Sequence, residues 1–170
     1  MLKLDWMPTK TRVVFERLAK EDALQNFVLI GGTALSIQIG HRLSEDLDFC
    51  LFADDMTGQR LDLMIRDLSQ RHQVTLMTPH SEITKAKING IDLLDRSRDY
   101  LIDGVKVTFF ARNDVAYQYF SSLERINVDG ATFSIMAADS IFAMKAWLLQ
   151  KRVKSRDLFD LMQLVKLGLM

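Results

Sequence analysis

The sequence predicts an α+β fold: a mixed β-sheet backed by helices on one side, finished by a helical C-terminal lobe. Short apolar runs of strand length alternate with amphipathic helical stretches through the first hundred residues. The clearest pair of runs, Tyr100-Leu101-Ile102 and Val105 to Phe110, is joined by Asp103-Gly104, the dipeptide that type I′ hairpins favour. The final third has helical periodicity almost throughout. A chain of 170 residues, 48% of them apolar and 26% charged, supports one such core, burying roughly 70% of the surface exposed when unfolded. The expected organisation is a core over residues 1–112 and a mainly helical lobe over 113–170 that completes a cleft.

In chain order, Pro8, a residue suited to a helix's first position, opens a helix over roughly residues 9–24, with Val13, Val14, Phe15 and Leu18 at helical spacing. Phe27-Val28-Leu29-Ile30 is a buried strand stopped by Gly31-Gly32, and Thr33 to Ile39 a short helix. Leu47 to Phe52 is a second strand, and Leu61, Met64, Ile65 and Leu68 mark an amphipathic helix before a third strand at Val74 to Met77. Residues 80–96 hold neither period for long, and their structure is left open. Asp129-Gly130 is expected to join Ile126–Val128 to Thr132–Ile135. Three helices close the chain: Val115–Leu123, one N-capped by Asp139 and running to about Gln150, and one capped by Ser155 and running through Leu167.

Composition narrows the function classes. Twenty-two basic residues balance twenty-two acidic ones, so there is no global cationic field for indiscriminate nucleic-acid binding, and any such affinity must be local. The single cysteine, Cys50, excludes an intrachain disulfide and a cysteine zinc cage and is expected to be a small, half-buried residue. The three histidines, His41, His72 and His80, are scattered, which disfavours metal ligation by histidine and leaves His41 as a surface position. No window has the 18 or more apolar residues of a membrane span, and the first residues lack a signal-peptide core, so a cytoplasmic protein without a membrane partner is expected.

The chemistry is concentrated between residues 31 and 49. Asp46 and Asp48 lie two apart on a strand, so their side chains share one face while Leu47 and Phe49 point to the other. Two carboxylates so placed repel as anions, and a hard divalent ion such as Mg²⁺, or Mn²⁺, relieves the repulsion. Thirteen residues upstream of Asp46, counted from Thr33 to Glu45, a strand ends in Gly31-Gly32 and feeds a helix. Its first N–H groups and dipole form an anion site. Phosphate binding and metal binding thus face one cleft, an arrangement suited to phosphoryl or nucleotidyl transfer from a nucleoside triphosphate (NTP). No Gly-Lys-Ser/Thr follows the glycines and a third glycine is missing, which excludes a P-loop and a Rossmann fingerprint. Arg42 and Ser44 precede the carboxylates and would reach the same cleft, where arginine grips an oxyanion bidentately.

Gly31-Gly32, the gap of thirteen and Asp46-Leu47-Asp48-Phe49 resemble the signature of the polymerase β-type nucleotidyltransferase superfamily, and the string IGGTALSIQIGHRLSEDLDF resembles the AbiEii/AbiGii toxin family within it. Met144-Lys145-Ala146 and the segment from Arg152 to Asp160 resemble that family's later motifs, leaving residues 53–99 unmatched. The resemblance implies a polymerase β-like fold in which Gly31, Gly32 and Thr33 hold the triphosphate and Asp46 and Asp48 bind Mg²⁺. Lys145 would then neutralise phosphate charge, with Asp157 and Asp160 in supporting roles. It also implies a toxin of a toxin–antitoxin or phage-defence system, with a cognate antitoxin as partner and RNA, above all the tRNA acceptor end, as acceptor.

Several positions carry a second reading. Lys145 is either a phosphate ligand or a lysine snorkelling from an apolar helix, and Arg156 with Asp160 is either part of the site or an i,i+4 ion pair. Lys145, Lys151, Arg152, Lys154 and Arg156 form either a nucleotide or RNA contact or a solvated helix junction. The strand Val105–Phe110 lacks the third carboxylate usual in the superfamily; Asp103 is the nearest substitute, ahead of Asp92 and Asp95. That lack keeps two alternatives open: a nucleotide-, RNA- or protein-binding module without turnover, and transfer of NMP to a protein hydroxyl.

Overall fold

The computed structural model describes all of residues 1–170. Seven strands form one mixed sheet in the order β3-β4-β5-β2-β1-β7-β6. They are β1 (Val28–Ile30), β2 (Leu47–Leu51), β3 (Val74–Leu76), β4 (Ser97–Ile102), β5 (Val105–Ala111), β6 (Arg125–Asn127) and β7 (Ser134–Met136). The helices are α1 (Thr9–Leu18), α2 (Gly31–Ile39), α3 (Gln59–Ser69), α4 (His80–Ile88), α5 (Leu93–Arg96), α6 (Val115–Ser121), α7 (Ala138–Leu149) and α8 (Ser155–Lys166). Two strands after residue 112, β6 and β7, join the same sheet, so residues 113–170 supply sheet as well as helices.

The central strand β2 is antiparallel to β1 and parallel to β5. Its inward side chains Leu47 and Phe49 are fully buried beside Val107 and Phe109 of β5. Phe49 stacks on Phe109 at 5.4 Å and meets Phe133 edge-on at 4.9 Å; Phe15 of α1 closes on Phe133 at 5.5 Å. Each such ring contributes roughly 1.5–3 kcal/mol by leaving water, and together they hold β2 in place. The opposite face carries α6 and α7 over part of its length, where Tyr117 packs on Phe110 at 6.1 Å.

Most boundaries follow the periodicity. The Asp103-Gly104 turn has φ of +46° and +80°, the type I′ signature. The first helix is shorter than its pattern, ending at Leu18 before a 3₁₀ turn at Asp22–Leu24, and Pro8 precedes it as N-cap. Asp139 does not cap α7: Ala137 is the N-cap, and Asp139 lies in the first turn, accepting from the Ser140 N–H at 2.7 Å. An acidic group there still complements the helix dipole. Lys154 rather than Ser155 is the N-cap of α8. Residues 80–96, open in sequence, form α4 and α5; α4 has no buried residue and so no apolar stripe to read.

Candidate active site

The site is built around the start of β2. Alternation sends Leu47 and Phe49 into the core and sets Asp46 and Asp48 on the other face, as their spacing predicts. Asp48 is in register with Ile30 of β1 and Thr108 of β5. No cation is paired with either carboxylate. Burial, first, and then the charge of Asp46 push the Asp48 carboxyl up to about 6; Asp99 adds to the rise, while Lys106 and Lys145 oppose it.

Helix α2 begins at Gly31, two residues earlier than expected, and no side chain caps it. Its first N–H groups therefore open beside the carboxylates. Gly31 has φ +80°, a conformation that calls for glycine, and a β-carbon there would crowd Asp48 Oδ2 at 3.0 Å. At Gly32 a β-carbon would lie 2.5 Å from Arg42 Nη2 and 3.1 Å from Ser44 Oγ. Thr33 does not face the cavity: it is buried, its hydroxyl donates to the Asp46 carbonyl at 2.5 Å and lies 2.9 Å from Ser44 Oγ. It braces the segment that presents Asp46.

The other wall comes from α7 and α8. Lys145 is buried, with Nζ 2.8 Å from Asp157 Oδ1 and 2.9 Å from Asp160 Oδ2. Asp160, fully buried, also accepts from Arg42 Nε at 2.7 Å and Nη2 at 2.9 Å, and it lies 2.7 Å from His41 Nε2. Its carboxyl stays well below the ordinary range because hydrogen bonds from Arg42, His41 and Lys145 outweigh its burial. Lys145 is thus neither snorkelling nor free, and Asp160 pairs across the fold rather than with Arg156. His41 is not a surface residue: its side chain is 3% exposed.

Between these walls lies a cavity of about 490 Å³, lined by Gly31, Gly32, Arg42, Ser44, Asp46, Asp48, Lys145, Arg152, Lys154, Arg156 and Asp157 and, at its far end, by aromatic residues. Of the residues expected at the site, only Thr33 and Asp160 lie behind the lining. The lining is strongly basic apart from Asp46, Asp48 and Asp157. Asp157 Oδ2 is buried without a hydrogen-bond partner.

None of the three substitutes for a third carboxylate is near. Asp103 is held at the edge of the sheet by His72 Nδ1 at 2.6 Å and the Gln73 N–H at 2.9 Å. Asp95 turns to Arg98 and the Gly58 N–H, and Asp92 is exposed before α5. The position beside Asp48 on β5 is Thr108, whose hydroxyl donates to Asp99 Oδ1 on β4 at 2.6 Å. Asp48, Thr108 and Asp99 therefore run in register across three strands. Asp99 is not apparent from the sequence because the strand expected there begins at Tyr100, whereas β4 begins at Ser97, and because the lateral order of the strands is not encoded locally. No group of three or more histidine, cysteine or acidic side chains is arranged to hold a metal. The Asp46/Asp48 pair, unpaired and mutually repelling, fits a hard divalent ion whose remaining ligands are water and phosphate oxygens.

Comparisons with known proteins bear on the family and the fold. Residues 12–170 match the family described as Nucleotidyl transferase AbiEii toxin, type IV toxin–antitoxin system. An uncharacterized protein of Aquifex aeolicus (strain VF5) is 28% identical over 158 residues, covering 91% of this chain and 65% of its own length. Two Helicobacter pylori crystal structures share the fold. JHP933 is 20% identical with a TM-score of 0.54, over 92% of this chain and 65% of the other; a candidate nucleotidyltransferase is 22% identical with a TM-score of 0.51, over 94% and 69%.

Proposed function

Because the chain belongs to the AbiEii nucleotidyl transferase toxin family, we propose that it is a Mg²⁺-dependent enzyme that moves an NMP from an NTP to an acceptor hydroxyl, with RNA, in particular tRNA, as acceptor. One observation carries the reading: two uncompensated carboxylates stand beside the uncapped start of α2 in a cavity whose polar end also carries Arg42, Lys145, Arg152, Lys154 and Arg156. Asp46 and Asp48 would hold the metal. Mn²⁺ is also suited to this oxygen donor set. The bound ion would supply charge neutralisation at the phosphate oxygens.

The remaining steps belong to the chain's own groups. The N–H groups at Gly31 and Gly32 and the side chains of Ser44, Lys154 and Arg156 bind the triphosphate. Lys145, fixed by Asp157 and Asp160, places its charge against the phosphates without having to be ordered by substrate. The acceptor oxygen attacks the α-phosphorus in line, the bond to the pyrophosphate oxygen breaks, and the hydroxyl proton passes to solvent or to a nearby carboxylate. A cognate antitoxin is the protein partner implied by the family.

Thr108, standing where a third carboxylate would sit, favours a second reading in which the site binds nucleotide without turnover. Incubation with each NTP labelled at the α-phosphate, Mg²⁺ and total RNA separates the two. Label in RNA that is lost in the Asp46→Ala/Asp48→Ala double variant is the expected outcome. Label in protein instead identifies a protein hydroxyl as acceptor, and NTP binding without any product establishes the binding module.

A further inference from the structure

The cavity has two chemically different ends, and the reading above uses only the polar one. The far end is walled by Phe110 of β5, Tyr117 and Phe120 of α6 and Trp147 of α7. Tyr117 and Phe120 meet Trp147 edge-on at 6.0 and 5.8 Å and each other at 5.4 Å. Their mutual packing sets the wall without help from a ligand. Phe110 and Trp147 remain only half-buried, so flat apolar surface opens into the cavity.

Arg112 stands at the lip of this wall, its guanidinium 4.5 Å from the centre of the Tyr117 ring and 5.3 Å from that of Trp147. Its Nε donates to Asp114, which is itself fixed as the N-cap of α6. The fork is thereby oriented, with its Nη donors left for another acceptor. No carboxylate or carboxamide lines this end. A ligand that fills the whole cavity must carry phosphates at one end and a flat ring at the other. That ring must offer acceptors, because the guanidinium at the lip can only donate.

Resting on the nucleotidyltransferase reading for the phosphate end, we infer that the aromatic end is a nucleobase subsite in which Arg112 selects bases bearing a carbonyl oxygen, namely cytosine, uracil and guanine, over adenine. A carbonyl oxygen has two lone pairs for the fork, whereas adenine's ring acceptors N1 and N7 have one each and lie beside the exocyclic amino group, which turns a donor toward a donor. A donor of the oriented fork left unpaired in a partly desolvated site is the penalty that makes such discrimination effective.

Calorimetric titration of the whole protein with CTP, UTP, GTP, ATP and inorganic tripolyphosphate, all with Mg²⁺, tests this. The three carbonyl-bearing nucleotides should bind about tenfold or more tightly than ATP, the scale of a good bidentate contact. Arg112→Gln should erase that difference and leave tripolyphosphate unchanged, and Trp147→Phe should retain the ranking. ATP binding as tightly as the other three, an unchanged ranking in Arg112→Gln, or tripolyphosphate binding as tightly as CTP would overturn the subsite. The two proposals fail separately. Tripolyphosphate binding without any gain from a base removes the subsite alone, whereas the expected ranking without transfer to any acceptor removes the transferase and keeps the subsite.

Discussion

Two acidic clusters face each other across the cavity, and they are balanced in opposite ways. Asp160 is saturated: Arg42, Lys145 and His41 surround its two oxygens, and its carboxyl is held ionised. Asp48 is deprived: it has Asp46 as a neighbour, no paired cation and a carboxyl pushed up to about 6. Both are acidic residues on the same cleft, yet the first has its electrostatics closed within the protein and the second leaves them open. An open site is an unsatisfied demand for an external cation, whereas a closed one positions its partners.

Removing each carboxylate should break this contrast in opposite directions. Asp160→Ala leaves Lys145 and Arg42 buried without their common partner, and a loss of about 3–5 kcal/mol is expected, read by urea denaturation. A variant as stable as the parent would show that the cluster does not hold α8 to the loop after α2. Asp48→Asn should instead raise stability at pH 7.5, on the order of 1–3 kcal/mol, while abolishing transfer. Unchanged or lowered stability would contradict the strained state of Asp48.

The pH dependence sharpens the comparison. Between its ordinary value of 3.8 and about 6 the folded state binds a proton at Asp48 more readily than the unfolded state does, so the gain from Asp48→Asn should fade as pH drops through that window. Asp160 is the reverse: its contribution is present above the ordinary carboxylate range and is lost as pH falls through the depressed folded value. Denaturation midpoints of parent and Asp48→Asn at pH 4.5 and 7.5 check the first sign. The smallest effect is that of the ion. Mg²⁺ at ten times its Kd should stabilise the parent by about 1.4 kcal/mol, with weaker binding below pH 6 and no shift in the Asp46→Ala/Asp48→Ala variant.

Local chemistry was legible in the sequence, and lateral chemistry was not. Gly31-Gly32 and the alternation of Asp46 and Asp48 are short-range patterns, and the structure brings them together as their spacing predicts. The hairpin at Asp103-Gly104 is equally local. By contrast, His41 and Arg42 meet Asp160 across separations of 119 and 118 residues, and nothing in their neighbourhoods announces it. Asp99 reaches the site face only because β5 lies between β4 and β2, an order that periodicity does not contain. The family resemblance implied Thr33 as a triphosphate ligand, but its side chain is buried and its hydroxyl turned to the Asp46 carbonyl. The aromatic wall is hidden for a related reason: Phe110, Tyr117 and Trp147 lie on three separate elements, and nothing local shows that they meet.

The long reach from Arg42 to Asp160 has a consequence for the making of the protein. Chains grow from the N-terminus at about 5–20 residues per second, and Asp46 and Asp48, at the start of β2, precede α8 by more than a hundred residues. Until that helix is synthesised and docks, Arg42 and Lys145 have no common anion and the cleft lacks its second wall. A partly synthesised molecule would carry the carboxylates without the fixed charges that complete them, so the assembled cleft would arrive late in translation.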